Sequence, residues 1–348
     1  MPYTMADLYS TRHAELVKTM TSNDFSKDGD WKTIIPEAKA AIVTAGFNAD
    51  KAEVCESIRK AVKKGEKANA KAVKTIVTGA GGTMPDNSTG TLPDALAKRV
   101  AALDTLRHLW MLKKSGSHKL WVLSLPMSYA NWPDVDLTGK TYADATTRLN
   151  DSSERFGAGD RKHLSQATQE GLKWIHKAMI VAADPKTEKH KKILKRWFAD
   201  PDTTDEQLAA AAATINEGLK KMSATIKSSF LLMTDMPKDR SDAGSANTNA
   251  FVFKDEAVSV IYIERAFFGT SDTWKDLKNW TRIVVHELTH RDAKTEDHRY
   301  RHHGDGLKPN KTTFTHAKAI TNADSWAIFC MDCAGKMTSS DYKKVKVD

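Results

Sequence analysis

What this sequence lacks narrows its class quickly. No apolar run approaches the roughly 20 residues that a membrane-spanning helix needs. The stretch from Met1 to Ser22 is charged throughout and has no apolar core of the kind a secretory leader carries. Cysteine is scarce: Cys55, Cys330 and Cys333 are an odd set, and no disulfide framework can be read from them. Glycine and proline, 18 and 10 in 348 residues, are too few and too irregular for a collagen-like or low-complexity chain. Cys330-x-x-Cys333 has no second cysteine pair to complete a metal site. Its helix-like setting, Asp324 to Ala334, predicts two buried or half-buried thiols.

What is present describes a globular protein. Hydrophobic residues make up 40% of the chain and include nine tryptophans, enough for a substantial core. The length suits about two domains. A net charge of +9 raises the question of nucleic acid, but the lysines are scattered among acids along helical stretches, with no aromatic-basic reader motif. Solvated helix faces with some attraction to acidic surfaces account for the charge, and no nucleic-acid partner is expected. Gly79-Ala80-Gly81-Gly82 looks briefly like a dinucleotide-binding turn. However, Met84 stands where the third glycine belongs, and a lysine-rich helix, not a buried strand, precedes it.

Apolar spacing predicts helices over Thr4 to Met20, Trp31 to Ala45 and Ala49 to Thr78, then a Gly/Pro/Ser/Thr/Asn-rich loop from Gly79 to Pro93. Helix returns from Pro93 to Lys113, a strand follows over His118 to Leu125, and the turn-rich Pro126 to Lys140 marks a boundary. Beyond it come helices over Tyr142 to Asn150, Asp160 to Ala183, Glu188 to Phe198 and the alanine-rich Asp205 to Ser229. Alternation over 250–253 and 258–263, with Lys254-Asp255-Glu256 between, predicts a hairpin. The expected architecture is a mainly helical α+β protein, with a helical N-terminal domain over 1–140 and a second domain over 141–348.

The chemistry concentrates at Thr281-Arg282-Ile283-Val284-Val285-His286-Glu287-Leu288-Thr289-His290. On a helix, His286 and His290 project from one face on successive turns, so both imidazoles can meet one ion. Glu287 lies one step round, where its carboxylate can reach a water beside that ion. Trp274, Leu277, Trp280, Ile283, Val284 and Leu288 recur at helical spacing, and Ser271 or Asp272 can cap the start. A metzincin would need Gly at 293 and His at 296, but the residues are Ala293 and Glu296. A gluzincin's downstream Glu motif is absent. From the residues alone, Asp292, Glu296, Asp297, His298, His302 and His303 all stand open as the third metal ligand, because carboxylate and imidazole both suit zinc.

With Thr295-Glu296-Asp297-His298-Arg299-Tyr300 and the later Asn322-Ala323-Asp324-Ser325 added, the chain resembles the aspzincins, the deuterolysin and peptidyl-Lys metalloendopeptidase family. That family joins its histidine motif to Gly-Thr-x-Asp-x-x-Tyr-Gly; here Lys294 and Arg301 replace the two glycines. The resemblance implies a zincin-like domain, its active-site helix beside a small sheet, binding one catalytic zinc. It makes His286, His290 and Asp297 the ligands, Glu287 the general base and Tyr300 the oxyanion donor. Asp324 becomes the acid of a primed-side pocket. Ala327 replaces the second acid of the lysine-cutting members, so a mild basic preference is expected at most.

By analogy with other zincins, Val258 to Glu264 is expected to be an edge strand that receives extended substrate. The implied activity is endopeptidase action on proteins or peptides, with a non-enzymatic, zinc-stabilised binding or effector protein as the alternative. Residues 1–140 are expected to be a pro-region that inhibits the catalytic part, a delivery module or plain packing. A leaderless member of a usually secreted family suggests a secreted or delivered protease or effector, exported by a non-Sec route after a cytoplasmic stage.

Overall fold

The computed structural model describes residues 8–23, 25, 31–51, 53–54, 76–83, 89–107, 120–123, 125–151, 153, 155–228, 230–269 and 274–347. The start of the first expected helix, most of the third, Cys55, part of the Gly79 to Pro93 loop and the proposed caps Ser271 and Asp272 lie outside those residues. The elements run α1 (Tyr9–Ser22), α2 (Trp31–Ala41), β1 (Ile42–Val43), β2 (Gly46–Phe47), α3 (Asp94–Arg107), β3 (Leu120–Val122), α4 (Pro133–Asp136) and α5 (Tyr142–Asn150). They continue with α6 (Ala158–Ala183), α7 (Glu188–Phe198), α8 (Asp205–Lys227), β4 (Leu231–Thr234), β5 (Ala250–Phe251) and β6 (Val260–Ile263). The last four are α9 (Asp276–Ala293), α10 (His316–Ala319), α11 (Ala323–Cys333) and α12 (Ser339–Val345). The protein is mainly helical with small sheets, an α+β fold. No described helix is long and apolar enough to cross a membrane.

Two compact units emerge, and each gathers separate stretches of chain. Unit 1 takes residues 1–162, 229–248 and 256–265; unit 2 takes 163–228, 249–255 and 266–348.

Unit 1 is built on three short parallel strands. β3 pairs with β4, Leu120 opposite Leu231, and β4 with β6, Leu232 opposite Val260. Every residue of these strands is buried, as a parallel sheet requires. Val260–Ile263 is thus a buried strand paired in parallel with β4, and the exposed, substrate-receiving edge expected at 258–264 is not what the structure contains. The second expected helix ends early at Ala41, where Ile42 and Val43 turn into a small antiparallel pair with Gly46 and Phe47. Gly46 has φ 129°, a conformation that glycine alone adopts without strain.

The core of unit 1 is aromatic. Tyr9 meets Trp132 edge-on at 5.5 Å, His13 meets Phe47 at 5.6 Å, and Phe47 lies 6.2 Å from Trp121. Tyr129 and Trp132 are buried packing residues. Helix α1 has no side-chain cap of its own. Instead the Ser10 amide donates to Glu256 Oε1 at 2.7 Å, and the Tyr9 amide to the Tyr262 hydroxyl at 2.7 Å. A carboxylate at a helix N-terminus satisfies an orphan N–H and opposes the helix dipole.

Unit 2 is a helical assembly around α9. Helix α8 begins with a full capping box, Thr204 and Gln207 each bonding the other's backbone, and runs on through alanines. Helix α9 packs against α8 and α11. The closeness has an identifiable cause: Gly218 of α8 faces Trp326 and Ala293, where an added Cβ would stand 2.6 Å and 2.9 Å from their side chains. Gly171 of α6 likewise lies against Val285, at 3.2 Å from where its Cβ would be. Cys330 is fully buried and Cys333 half-buried, both as free thiols, and burial pushes both above the ordinary range.

Candidate metal centre

Helix α9 carries the centre. The periodicity implied one buried face, yet every residue from Asn279 to Thr289 is buried, because neighbouring helices close on several sides. The helix begins at Asp276, so Trp274 precedes it, and Leu277 is 36% exposed. It ends at Lys294, whose φ of 58° is left-handed. Glycine is the favoured residue at such a terminus, and the resembling family has glycine at this point. Here the lysine accepts the conformation, and its Nζ donates to the Lys254 carbonyl.

That turn carries the chain back over the two histidines. Thr295 stacks its hydroxyl on that of Thr289 at 2.8 Å, and its carbonyl accepts from His290 Nδ1 at 2.9 Å. Two residues later Asp297 Oδ1 lies 3.3 Å from His286 Nε2 and 3.3 Å from His290 Nε2, while the two nitrogens are 3.1 Å apart. Among the described residues, these three form the one group of three or more His, Cys, Asp or Glu side chains whose donor atoms all lie within 4.8 Å of one another.

The other candidates for third place are engaged elsewhere. Glu296 pairs with Lys254, and His298 Nε2 bonds the Thr321 hydroxyl at 3.0 Å. His302 and His303 pack about the Tyr300 ring at 5.4 and 5.6 Å. Burial pushes the Asp292 carboxyl up, with Thr225 and Arg291 acting against that.

The electrostatics follow from burial and neighbours. Burial opposes charge on His286, but Asp297 and Asp324 outweigh it and push its imidazole up to about 10. Asp297 is opposed by desolvation, yet hydrogen bonds from both histidines hold its carboxyl well below the usual range. Burial pushes Glu287 up while the two histidines draw it down. The Tyr300 ring lies nearly parallel to that of His286 at 6.2 Å, and burial together with the negative charge of Asp297 pushes its hydroxyl up.

Asp324 is brought to the same centre, fully buried beneath it. Its Oδ1 lies 3.0 Å from His286 Nδ1 and 3.1 Å from Arg282 Nη1, and its Oδ2 accepts the Arg301 amide at 3.1 Å. Both Nδ1 atoms thus face oxygen acceptors, Asp324 and the Thr295 carbonyl. With a hydrogen kept on each Nδ1, both Nε2 atoms, which face Asp297, would be able to ligate a metal once it displaced their protons. Asn322 braces the loop: Oδ1 accepts the Arg299 amide at 2.8 Å and Nδ2 donates to the Arg299 carbonyl at 2.9 Å. The Glu296 amide and carbonyl bond Thr321 and Ala323 at 2.7 and 3.0 Å.

Sequence reasoning passed over Arg282, Thr295 and Asn322 as contributors. Arg282 is a charge within an otherwise apolar stretch of helix, and that is the signal the sequence carries.

Residues 183–331 match the aspzincin family model, described as lysine-specific metallo-endopeptidase. The aspzincin match covers α7 to α11 and rather less than half of the chain. It implies a zinc metallopeptidase, with protein or peptide as substrate. A search of curated proteins returned no match.

Proposed function

We propose that the chain is a zinc-dependent endopeptidase in which His286, His290 and Asp297 hold one metal ion. The observation that carries this reading is the donor triangle, with edges of 3.1, 3.3 and 3.3 Å. A tetrahedral zinc with bonds of about 2.0–2.1 Å requires donor separations of about 3.3–3.4 Å. With the His286 proton displaced on metal binding, two neutral imidazoles with fixed Nδ1 partners and one carboxylate match the chemistry of an open catalytic site.

When bound, zinc supplies Lewis acidity toward a peptide carbonyl and the attacking water. Glu287, buried and displaced by burial toward a higher pKa, takes the water's proton and returns it to the leaving amine. Tyr300, kept protonated by its surroundings, donates a hydrogen bond to the developing oxyanion. The α8 and α11 packing holds α9 rigid beneath the reaction.

The test uses the full chain loaded with one equivalent of zinc, on an unstructured protein substrate. Glu287→Gln should lower kcat by about 10²- to 10⁴-fold while binding zinc as the parent does. Chelation should abolish the parent's activity reversibly. A folded, zinc-saturated parent with no hydrolysis would leave a zinc-stabilised binding protein in place of the enzyme.

A further inference from the structure

The acid expected to receive a substrate's basic side chain is engaged in another task. Asp324 has no exposed surface. Its Oδ1 is shared by His286 Nδ1 and Arg282 Nη1, and its Oδ2 by the Arg301 amide, with Arg301 Nη1 at 3.6 Å. Arg282 is itself held, Nε and Nη2 donating to Asn279 Oδ1 at 3.3 and 3.2 Å. The Arg301 guanidinium lies over the Trp274 ring at 5.4 Å, and it occupies the position where the resembling family has glycine.

Two fixed guanidinium groups therefore surround one carboxylate. Removing either arginine would leave buried charge uncompensated, so the group is a structural whole. A lysine ammonium approaching Asp324 would meet more positive than negative charge, and both carboxylate oxygens already have donors.

We propose that Asp324 is a positioning residue for His286, compensated by Arg282 and Arg301, and that this site does not select lysine or arginine side chains. The inference rests on the metallopeptidase reading above. The carboxylate fixes the His286 ring so that Nε2 meets the metal, the role that such partners of metal-ligating histidines commonly play.

Two measurements on the full chain test the two halves. Digestion of a proteome-derived peptide mixture, with the cut sites sequenced, should show Lys and Arg beside the cut no more often than their abundance predicts. A tenfold enrichment of Lys on either side would overturn the selectivity claim alone. No cleavage by zinc-saturated protein would overturn the metallopeptidase reading and the selectivity claim with it.

The positioning claim is read without catalysis, by zinc competition against a chromophoric chelator. Asp324→Asn should weaken zinc binding by about 10- to 100-fold with the helical circular dichroism retained, and Asp324→Glu should recover part of that loss. Equal affinity in a folded Asp324→Asn protein would overturn it. Should the variants fail to fold, nitrogen NMR of the unsubstituted protein with zinc decides the matter. His286 must be protonated at Nδ1 and metal-bound at Nε2, and the reverse arrangement overturns the assignment.

Discussion

Glu264, at the end of β6, should make unit 1 less stable as pH rises toward neutrality. Its side chain is fully buried, and burial pushes the carboxyl from an ordinary value near 4.5 up to about 8. Arg155 acts against that shift, and Asp235 and Asp239 act with it. In the unfolded chain the group ionises near 4.5; in the folded chain it keeps its proton to about 8. Between those values the folded state binds more protons than the unfolded one, so unfolding releases a proton and stability falls with pH. The contribution is fully present below about pH 4.5, is lost progressively up to about 8, and stays constant beyond. Each pH unit in the window is worth about 1.4 kcal/mol, giving about 3 kcal/mol by pH 7.

Glutamine has the same shape and cannot ionise. Glu264→Gln should therefore gain on the parent by about 3 kcal/mol between pH 4.5 and 7. Urea unfolding of both proteins at pH 4.5, 6, 7 and 8, followed by tryptophan fluorescence, measures the difference directly. The subtraction removes every other titrating group that the two chains share. Stability differences that stay constant with pH to within about 0.5 kcal/mol would refute the reasoning.

Gly218→Ala should lower stability by about 1–3 kcal/mol, because the new methyl would lie within 2.6 to 2.9 Å of Trp326 and Ala293. A thermal midpoint equal to the parent's would show that α8 can move aside. Glu256→Ala removes the carboxylate at the start of α1 and should cost about 0.5–2 kcal/mol. Hydrogen exchange at the Tyr9 and Ser10 amides should quicken, and unchanged protection would show that the cap contributes nothing.

Several of the helices were legible because their signals are local. Tyr142 to Asn150 and Glu188 to Phe198 were read to the residue, since Thr141 caps one and Ala199 leaves the helical conformation after the other. The alanine-rich helix was placed to within two residues. The His286 and His290 pair was legible from a helical repeat, whereas Asp297 was singled out among six candidates only by the family resemblance. The geometry of the three depends on a left-handed Lys294 that no propensity would suggest. The partnership of Asp324 with His286 was hidden, because 38 positions separate them and a buried carboxylate's neighbours are set by tertiary packing. The parallel pairing of β6 with β4 was hidden for the same reason. Alternation identifies a strand but not the strand it joins.

Unit 1 closes late. Tyr9 waits for Tyr262, 253 positions downstream, and Leu120 waits for Leu231. A ribosome must deliver the helices of residues 163–228 before any pair of the three parallel strands can form. The sheet face of the amino-terminal segment, Leu120 to Val122, must therefore wait without its strand partners for much of the chain's synthesis, although it is fully buried in the finished fold. Chaperone demand during translation should thus fall on the first half of the polypeptide, although the chemistry resides in the second.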